Sequence, residues 1–427
     1  MANDIPEPVV QSGLIVRTGS ALAKLPDGGT PALAEIINRS LVQIQTSKAL
    51  MARHRIGEHE LCGPDYRLVC AVAEDVRLTP EDVLNRLLLS GSYPKGWETR
   101  IEDGQFKALR FEKETLPISS LPFIAGLMVE SLWLRLQESH TRLDTSMFPN
   151  LKQLRCAENQ LTELDLSQVP NLTEIYCQSN NLSRLNVTTC PKLSILGCQD
   201  NELASLVIST ACSLTHLECR NNMLTELDLS QVPNLTMLSC KGNQLTELDL
   251  SHVPNLTELS CYQNQLTELD LSHVPNLTEL HCNGNQLTEL DLSHVPNLTK
   301  LQCYQNQLAE LDLSHVPNLT KLQCYQNQLT ELDISHVPNL TELHCYKNQL
   351  TRLDLSKVPN LTEMWCYENQ LTGLDLSRVP NLRVLWCYGN QLTELDIRYP
   401  DIRNVRILET LKCDPSARLI QRPDQNF

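Results

Sequence analysis

Cysteine and histidine are the side chains of this sequence whose number and spacing could support chemistry. The chain of 427 residues has 17 cysteines and 11 histidines. Most of the cysteines recur every 21 residues from Cys156 to Cys387, and stacked thiols could bind a soft metal ion or take part in redox chemistry. A second column with the same period consists of His252, His273, His294, His315 and His336. Stacked imidazoles could bind a divalent ion or titrate together, so the elements that position both columns decide what they do.

A repeating unit of 21 residues positions these side chains. Leucine recurs without insertion in twelve copies from Leu151 to Leu382, and each copy follows the pattern LxxLxCxxNxLxxLDLSxxPN. In the segment LxC the side chains alternate, so Leu259 and Cys261 face one way and Ser260 and Tyr262 the other. The cysteines are therefore expected to be small core residues with reduced thiols, and the histidines to be solvated turn residues. We predict no metal site, no cofactor and no catalytic residue.

The repeat resembles a known family. Its first eleven positions are the leucine-rich-repeat core signature, and the 21-residue form with a core Cys and a second LxxLDL half resembles the bacterial IRREKO-type leucine-rich repeats. The resemblance implies a leucine-rich-repeat solenoid, a right-handed coil with a curved parallel β-sheet on the concave face and a second short strand or turn per repeat. One copy cannot offset its own backbone entropy, so stability must come from stacking.

The polar columns of the repeat have structural interpretations. Asn159, Asn180 and their equivalents to Asn390 follow the strand, where the carboxamide can satisfy backbone groups of the turn in its own and the next copy. Prolines such as Pro170 fix the return turn, which Asp and Ser side chains can cap. These columns therefore build the coil, and we do not expect them to form sites.

The chain divides into four parts. Residues 151–402 carry the twelve repeats, and residues 104–150 are predicted to be degenerate leading repeats. Residues 1–103 are predicted to form a small α-helical N-terminal cap, with helices beginning at Thr30-Pro31 and Thr79-Pro80. Residues 403–427 are predicted to be a C-terminal cap and tail, with a half turn at Ile402, Val405 and Ile407.

Two features of the first hundred residues suggest functions of their own. Residues 66–89 have the outline of a helix-turn-helix, but residues 60–90 carry more Asp and Glu than Lys and Arg, which disfavours DNA binding. The motif Cys62-Gly63-Pro64-Asp65 resembles the Cys-x-Asp of bacterial leucine-rich-repeat ubiquitin ligases. That family places a large helical catalytic domain after its repeats, and too little of this chain follows the repeats to match it. We therefore predict that the protein is not an enzyme.

Composition narrows the partner and the location. Hydrophobic residues make up 41% and charged residues 20% of the chain, and the formal net charge is -16. This charge disfavours nucleic acid and anionic membranes as partners, and no run of residues resembles a signal peptide or a membrane span. We expect a cytoplasmic monomer that binds a protein or peptide, while export by a signal-independent route stays open.

The candidate binding residues are aromatic. Although aromatic residues are only 4% of the chain, the positions just before and after the core Cys become aromatic toward the C-terminus. These residues are Tyr262, Tyr304, Tyr325, Tyr346, Trp365, Tyr367, Trp386 and Tyr388. Such a stripe is typical of an interface, although rings in register could instead only stack on one another and stabilise the sheet. A carbohydrate ligand and a role as an exported effector are the alternative functions.

Overall fold

The computed structural model describes residues 129–134, 141–208, 213–398 and 411–420, together with the backbone of six strands before residue 112. The strands, in chain order, are β1 Ile15–Thr18, β2 Ala21–Lys24, β3 Arg53–Ile56, β4 His59–Cys62, β5 Arg100–Glu102, β6 Gln105–Phe111, β7 Ser131–Leu134, β8 Arg142–Asp144, β9 Gln153–Arg155, β10 Glu163–Asp165, β11 Glu174–Tyr176, β12 Arg184–Asn186, β13 Ile195–Gly197, β14 Ser205–Val207, β15 His216–Glu218, β16 Met237–Ser239, β17 Glu258–Ser260, β18 Glu279–His281, β19 Lys300–Gln302, β20 Lys321–Gln323, β21 Glu342–His344, β22 Glu363–Trp365, β23 Val384–Trp386, β24 Glu394–Asp396, β25 Leu411–Lys412 and β26 Arg418–Ile420. A 3-10 turn spans Thr145–Met147.

The repeats stack into a parallel-strand solenoid of about 13 turns. Its long sheet has 16 strands and runs from β5 to β25, and each regular repeat contributes one of them. Every pairing in it is parallel except β5 with β6, and equivalent residues lie opposite each other, as in Leu259 with Leu280 and Ser260 with His281. This register follows from the invariant repeat length, because a slip of one residue would turn the leucines outward.

Behind the long sheet the second half of each repeat is extended. Among the described residues, short parallel strands form in this half only near the two ends, where β8 pairs with β10, β12 with β14, and β24 with β26. In the middle turns the segment keeps its alternation without strand pairing, so Leu269 and Leu271 are buried while Glu268 and Asp270 are exposed. In most repeats the segment predicted as a second short strand or turn is therefore extended without strand pairing.

The core is a column of identical side chains. The leucine and valine positions and the core cysteine are buried in turn after turn; Leu259, Cys261 and Val274, for example, are at most 1% exposed. All 14 cysteines that the structure describes are free, as expected from the repeat. Burial raises the pKa of Cys261 well above its usual range, and neighbouring thiols of the column add to the effect. These thiols are packing groups and not nucleophiles.

The asparagine column joins neighbouring turns. The Asn264 amide nitrogen donates to the carbonyl oxygens of Cys240 and Cys261, at 3.1 and 3.0 Å. Its side-chain oxygen accepts from the Leu245 backbone N–H at 3.1 Å. The predicted structural role is confirmed, but the second turn that the side chain reaches is the preceding one and not the next.

A tight bend lies just before each of these asparagines. The residue there has a left-handed backbone with φ between 51 and 67° in twelve turns, and it is glycine only at Gly242, Gly284 and Gly389. Its amide donates to a carbonyl of the following turn, as Gln263 does to Asn283 at 2.9 Å. The bend comes directly after the residue that follows each core cysteine, so the strand alternation ends there.

The N-terminal region contains strands that the sequence analysis did not predict. Strands β1 and β2 form one antiparallel hairpin, and β3 and β4 form another. The helices predicted from Thr30 and from Thr79, the helix-turn-helix outline at 66–89 and the residues after Cys62 lie outside the described residues. The helical cap therefore stays a prediction, and the described residues contain no α-helix.

The C-terminal end of the solenoid has two strands beyond the twelve repeats. The half turn predicted at Ile402, Val405 and Ile407 lies outside the described residues, but β25 pairs with β23 and β26 with β24. Asp414 accepts hydrogen bonds from the backbone N–H groups of Gly389 and Asn390, at 2.7 and 3.2 Å. In the other turns the donor at the position of Gly389 bonds a carbonyl of the next turn, so Asp414 caps the last repeat.

Candidate partner-binding surface

Two columns of side chains cover the outer face of the long sheet. The before-Cys column includes Ser260, His281, Gln302, Gln323, His344, Trp365, Trp386 and Lys412. The after-Cys column includes Lys241, Tyr262, Asn283, Tyr304, Tyr325, Tyr346, Tyr367 and Tyr388. Strand alternation places both columns on the face opposite the core cysteines, one residue before and one residue after each of them.

Seven rings of these columns form one stacked array, which we call the aromatic ladder. In the after-Cys column the ring centres of consecutive tyrosines from Tyr304 to Tyr388 lie 4.1 to 4.6 Å apart, with planes within 12° of parallel. In the other column Trp365 and Trp386 stack at 4.5 Å. Contacts of 6.2 and 6.3 Å join the two columns. The members are Tyr304, Tyr325, Tyr346, Tyr367, Tyr388, Trp365 and Trp386.

Stacking covers the faces of the rings. The distance between ring centres is close to the strand separation of roughly 4.8 Å, so each interior ring has a neighbour on both faces. His344 stacks on Trp365 at 4.0 Å, and the Lys412 ammonium lies 3.8 Å from the Trp386 ring centre. The rings are half-buried. The ladder therefore presents ring edges and hydroxyl groups to solvent.

The polar groups of the ladder are perturbed by this packing. Burial and hydrogen bonding to neighbouring tyrosine hydroxyls raise the pKa of Tyr325 to about 12 and that of Tyr346 further. Tyr325 and Tyr346 therefore stay neutral at physiological pH. The indole N–H groups of Trp365 and Trp386 are buried without a hydrogen-bond acceptor, which is costly for a polar group.

Tyr262 does not belong to this stack. The turn between Tyr262 and Tyr304 has Asn283 in the same column. On its other side the Lys241 ammonium lies 4.7 Å from the Tyr262 ring centre and donates a hydrogen bond to the Tyr262 hydroxyl. Of the eight predicted residues, the structure thus brings seven together and leaves Tyr262 two turns away from Tyr304.

Two members of the surface were missed by the sequence analysis. His344 is buried on this face by Trp365, and its Nε2 lies 3.1 Å from a Glu363 oxygen. Lys412 belongs to the additional turn. The signal for that turn was Leu411-Lys412-Cys413, which repeats the LxC pattern 26 residues after Leu385-Trp386-Cys387 and so falls outside the regular period.

The opposite side of the solenoid carries the acidic and histidine columns. Glu247, Glu268, Glu289, Glu310 and the aspartates beside them line a shallow groove of about 960 Å³. The histidines lie in exposed turns, where His273 Nδ1 is 2.9 Å from the Ser272 hydroxyl and 3.8 Å from Asp270. Within the described residues no group of three His, Cys, Asp or Glu side chains has the geometry of a metal site.

The strand-per-turn coil, the inward leucine and cysteine columns and the displayed ladder define a leucine-rich-repeat solenoid. The family model for leucine-rich repeats (two copies) matches residues 233–274, 254–294, 275–315 and 359–404. The functional domain of InlJ from Listeria monocytogenes, which includes a cysteine ladder, is 33% identical with a TM-score of 0.66; the match covers 73% of this chain and 68% of that one. The chain belongs to the bacterial leucine-rich-repeat proteins.

Two other solved structures extend the comparison. A leucine-rich-repeat protein of Leptospira interrogans shares the fold at 23% identity and a TM-score of 0.61, over 73% of this chain and 84% of that one. The leucine-rich effector protein YopM of Yersinia pestis is 25% identical with a TM-score of 0.50, over 64% and 84% of the two chains. No curated protein sequence matches the chain significantly.

The part of the chain that the structure describes contains no helix long and apolar enough to cross a membrane.

Proposed function

We propose that the protein is a non-catalytic scaffold that binds a protein or peptide through the aromatic ladder. The fold itself supports a protein-binding scaffold. The observation that favours this surface is the collection of seven rings on one half of one face, while the Leu, Cys and Asn columns are used in packing or hydrogen bonding within the coil. Half-buried Tyr and Trp provide large contact area at little conformational cost, as at many interfaces.

The stacking of the rings favours a polypeptide over a carbohydrate. Sugars pack their C–H groups against ring faces, and the interior faces of this ladder are covered by other rings. The available groups are tyrosine hydroxyls, which donate and accept, and ring edges, which carry partial positive charge. Backbone carbonyls and acidic or amide side chains of a polypeptide match these groups.

The test separates binding from sheet stabilisation. Tyr346→Ala removes a ring with two stacked neighbours, so both stability and partner affinity should fall. Tyr346→Phe keeps both stacking contacts and removes only the displayed hydroxyl. Gln326→Ala, at the bend residue directly after Tyr325 and outside the ladder, is the matched control. The partner is first captured with the full-length protein, and affinities of all variants are then measured by surface plasmon resonance beside their thermal unfolding.

The proposal requires affinity to fall with Tyr346→Phe, Trp365→Ala and Trp386→Ala, and to stay near wild type with Gln326→Ala. Unchanged affinity in all three ladder variants, with lower stability in the alanine variants, would show that the ladder only stabilises the sheet.

We further expect a cytoplasmic monomer that binds neither DNA nor membranes. Size-exclusion chromatography with light scattering, and titration with duplex DNA at low salt, test those expectations.

Activity as an effector inside a host is the second candidate, since YopM is described as an effector protein. This function would use the same binding face of the present protein and needs no catalytic residue. Detection of the protein in the culture medium, under conditions where a cytoplasmic marker is retained, distinguishes this function from a purely internal one.

A further inference from the structure

One column of asparagines on the solenoid has no part in the proposed function. In eight turns the end of one repeat and the start of the next read Asn-Leu-Thr, beginning at Asn171 and, in seven consecutive turns, at each asparagine from Asn234 to Asn360. An asparagine followed two residues later by threonine or serine, with any residue except proline between them, is the acceptor sequence for N-linked glycosylation. We call these eight tripeptides the Asn-Leu-Thr column.

The backbone presents each acceptor at a tight turn. The Leu256 N–H donates to the Val253 carbonyl at 3.1 Å, which makes Asn255 the third residue of a four-residue β-turn. Asn255 is exposed, Leu256 is buried and Thr257 is half-buried. The Thr257 hydroxyl donates to the Thr236 carbonyl at 3.0 Å, so its own lone pairs stay available as acceptors. Burial of the central leucine therefore leaves the two side chains that define the acceptor sequence at the surface.

Open space lies along the column. A shallow groove of about 890 Å³ runs over five turns from Ser213 to Asn297, and asparagine, threonine and serine side chains form its whole lining. None of these side chains is charged, so a neutral sugar attached here would not remove a charged group from water. The groove gives a first sugar room beside the asparagine that carries it.

The carboxamide nitrogens of the column keep an N–H group for reaction. Asn255 Nδ2 donates one hydrogen bond, to the Pro233 carbonyl at 3.0 Å, and Asn276 Nδ2 donates one to the Pro254 carbonyl at 3.1 Å. A carboxamide has two N–H donors, so one remains in each case. Among the described residues, the Asn234 carboxamide has no hydrogen-bond partner. Asn234 is therefore the acceptor that loses least when its side chain turns toward an enzyme.

We propose that the Asn-Leu-Thr column is a site of N-linked glycosylation by a glycosyltransferase that uses a sugar diphosphate donor. The asparagine Nδ2 forms a bond to C1 of the sugar, and the bond between C1 and the diphosphate oxygen breaks. The diphosphate leaves with its carrier, and the amide loses one proton to solvent. Nucleotide-activated hexoses and lipid-linked oligosaccharides both supply this chemistry. The inference does not rest on the proposed function, because it concerns a different surface from the ladder.

The spacing of the column limits its occupancy. Asparagines of neighbouring turns are separated by one strand spacing, roughly 4.8 Å. An attached sugar is bulky and covers the surface around its asparagine. A sugar on one turn therefore blocks the asparagines of the two adjacent turns. We expect that no two neighbouring turns of one molecule are both modified.

The direct test is the intact mass of the full-length protein, purified from the organism that encodes it, followed by peptide mapping. We expect added sugar on asparagines of the column, with Asn234 the most fully occupied. Additions of single hexoses identify a nucleotide-activated donor, and one oligosaccharide of fixed mass identifies a lipid-linked donor. An unmodified mass, or sugar only on residues outside the column, would overturn the proposal.

Variants made in the same organism test whether the tripeptide directs the modification. Thr236→Val keeps the shape of the side chain and removes its hydroxyl, so the sugar on Asn234 should be lost while the fold, checked by circular dichroism, is kept. Asn381 has the same turn and donates to the Pro359 carbonyl at 3.2 Å, but Arg383 stands where the threonine would be. Arg383→Thr, combined with Asn360→Gln to clear the neighbouring turn, should therefore gain a sugar at Asn381. Unchanged sugar on Asn234 in the folded Thr236→Val variant, or no gain at Asn381, would contradict the proposal.

Discussion

Replacing one asparagine of the buried column should weaken the whole solenoid. Asn264→Ala removes the hydrogen bonds to the carbonyls of Cys240, Cys261 and Tyr262 and the one from the Leu245 N–H. The Leu245 N–H then has no partner, which costs about 1 to 3 kcal/mol, whereas the Cys240 and Cys261 carbonyls each keep a donor from the neighbouring asparagine of the column. With the lost bonds to these carbonyls added and water entering the small void, we expect a loss of about 2 to 4 kcal/mol in the free energy of unfolding.

The matched control is another asparagine of the same repeat. Asn276 is exposed and donates one hydrogen bond, to the Pro254 carbonyl at 3.1 Å. Asn276→Ala should therefore change stability by no more than about 0.5 kcal/mol. Urea unfolding followed by far-ultraviolet circular dichroism and tryptophan fluorescence measures both variants. Because each turn contacts only its neighbours, Asn264→Ala should also broaden or split the transition.

Amide hydrogen exchange localises the effect. The Leu245 N–H bonds only the Asn264 side chain among the described residues, so it should lose protection in Asn264→Ala while amides several turns away keep theirs. If Asn264→Ala and Asn276→Ala unfold within 1 kcal/mol of each other, the column does not hold the turns together and the reasoning from hydrogen bonds is wrong.

Four other predictions follow from the repeats. At the left-handed bend, Gly284→Ala should cost about 1 kcal/mol from backbone conformation alone, since its Cβ would meet Gln263 at an ordinary 3.5 Å, and Gln305→Gly should gain up to the same amount; thermal unfolding measures both. Hydrogen bonds from the Ser272 backbone and hydroxyl lower the pKa of Asp270. The stability from this group is therefore present above the unfolded carboxyl pKa and lost as pH falls through the lower folded value. Asp270→Asn, which keeps the cap as Asn186 does at 2.9 Å, should reduce the loss of stability in acid, and urea midpoints between pH 2 and 5 measure it. Iodoacetamide should modify Cys413, which is partly exposed, before any buried column cysteine such as Cys261, although burial raises the pKa of both; peptide mass spectrometry gives the order. Among ladder residues, Tyr346→Ala should cost about 1 to 3 kcal/mol, the sum of two stacking contacts, and Tyr346→Phe less than 1, as measured by urea unfolding.

The sequence predicts the solenoid because its period never changes over twelve copies. An invariant length of 21 residues places each leucine, cysteine and asparagine opposite its equivalent, so the register, the buried columns and the shared face of the tyrosines follow from spacing alone. Glycine at Gly242, Gly284 and Gly389 was also a readable sign of the left-handed bend. The repeat pattern is sufficient to predict the structure wherever each turn contacts only turns of the same sequence.

Prediction was weaker wherever the period breaks. The turn that carries Lys412 follows its predecessor after 26 residues, so a search at the regular spacing finds instead the residues around Ile407. The interruption at Asn283 leaves the spacing intact and changes only one side chain. Whether Tyr262 joins the stacked rings depends on which side chains lie on the faces of Tyr262 and Tyr304. Contacts between turns supply that information, and the repeat pattern does not.

The stacked ladder determines which contacts a partner can form on the proposed binding surface. Along the ladder from Tyr304 to Tyr388, neighbouring rings already occupy the faces, so a partner meets hydroxyls and ring edges, which form directional but modest interactions. A uniform ladder would give similar contacts if a partner shifted by one turn, because successive turns are nearly identical. The before-Cys column breaks this uniformity, because along the same turns it changes from Gln302 and Gln323 to His344, Trp365 and Trp386. We therefore expect the tyrosines to supply contact area and the before-Cys column to fix the position of the partner along it.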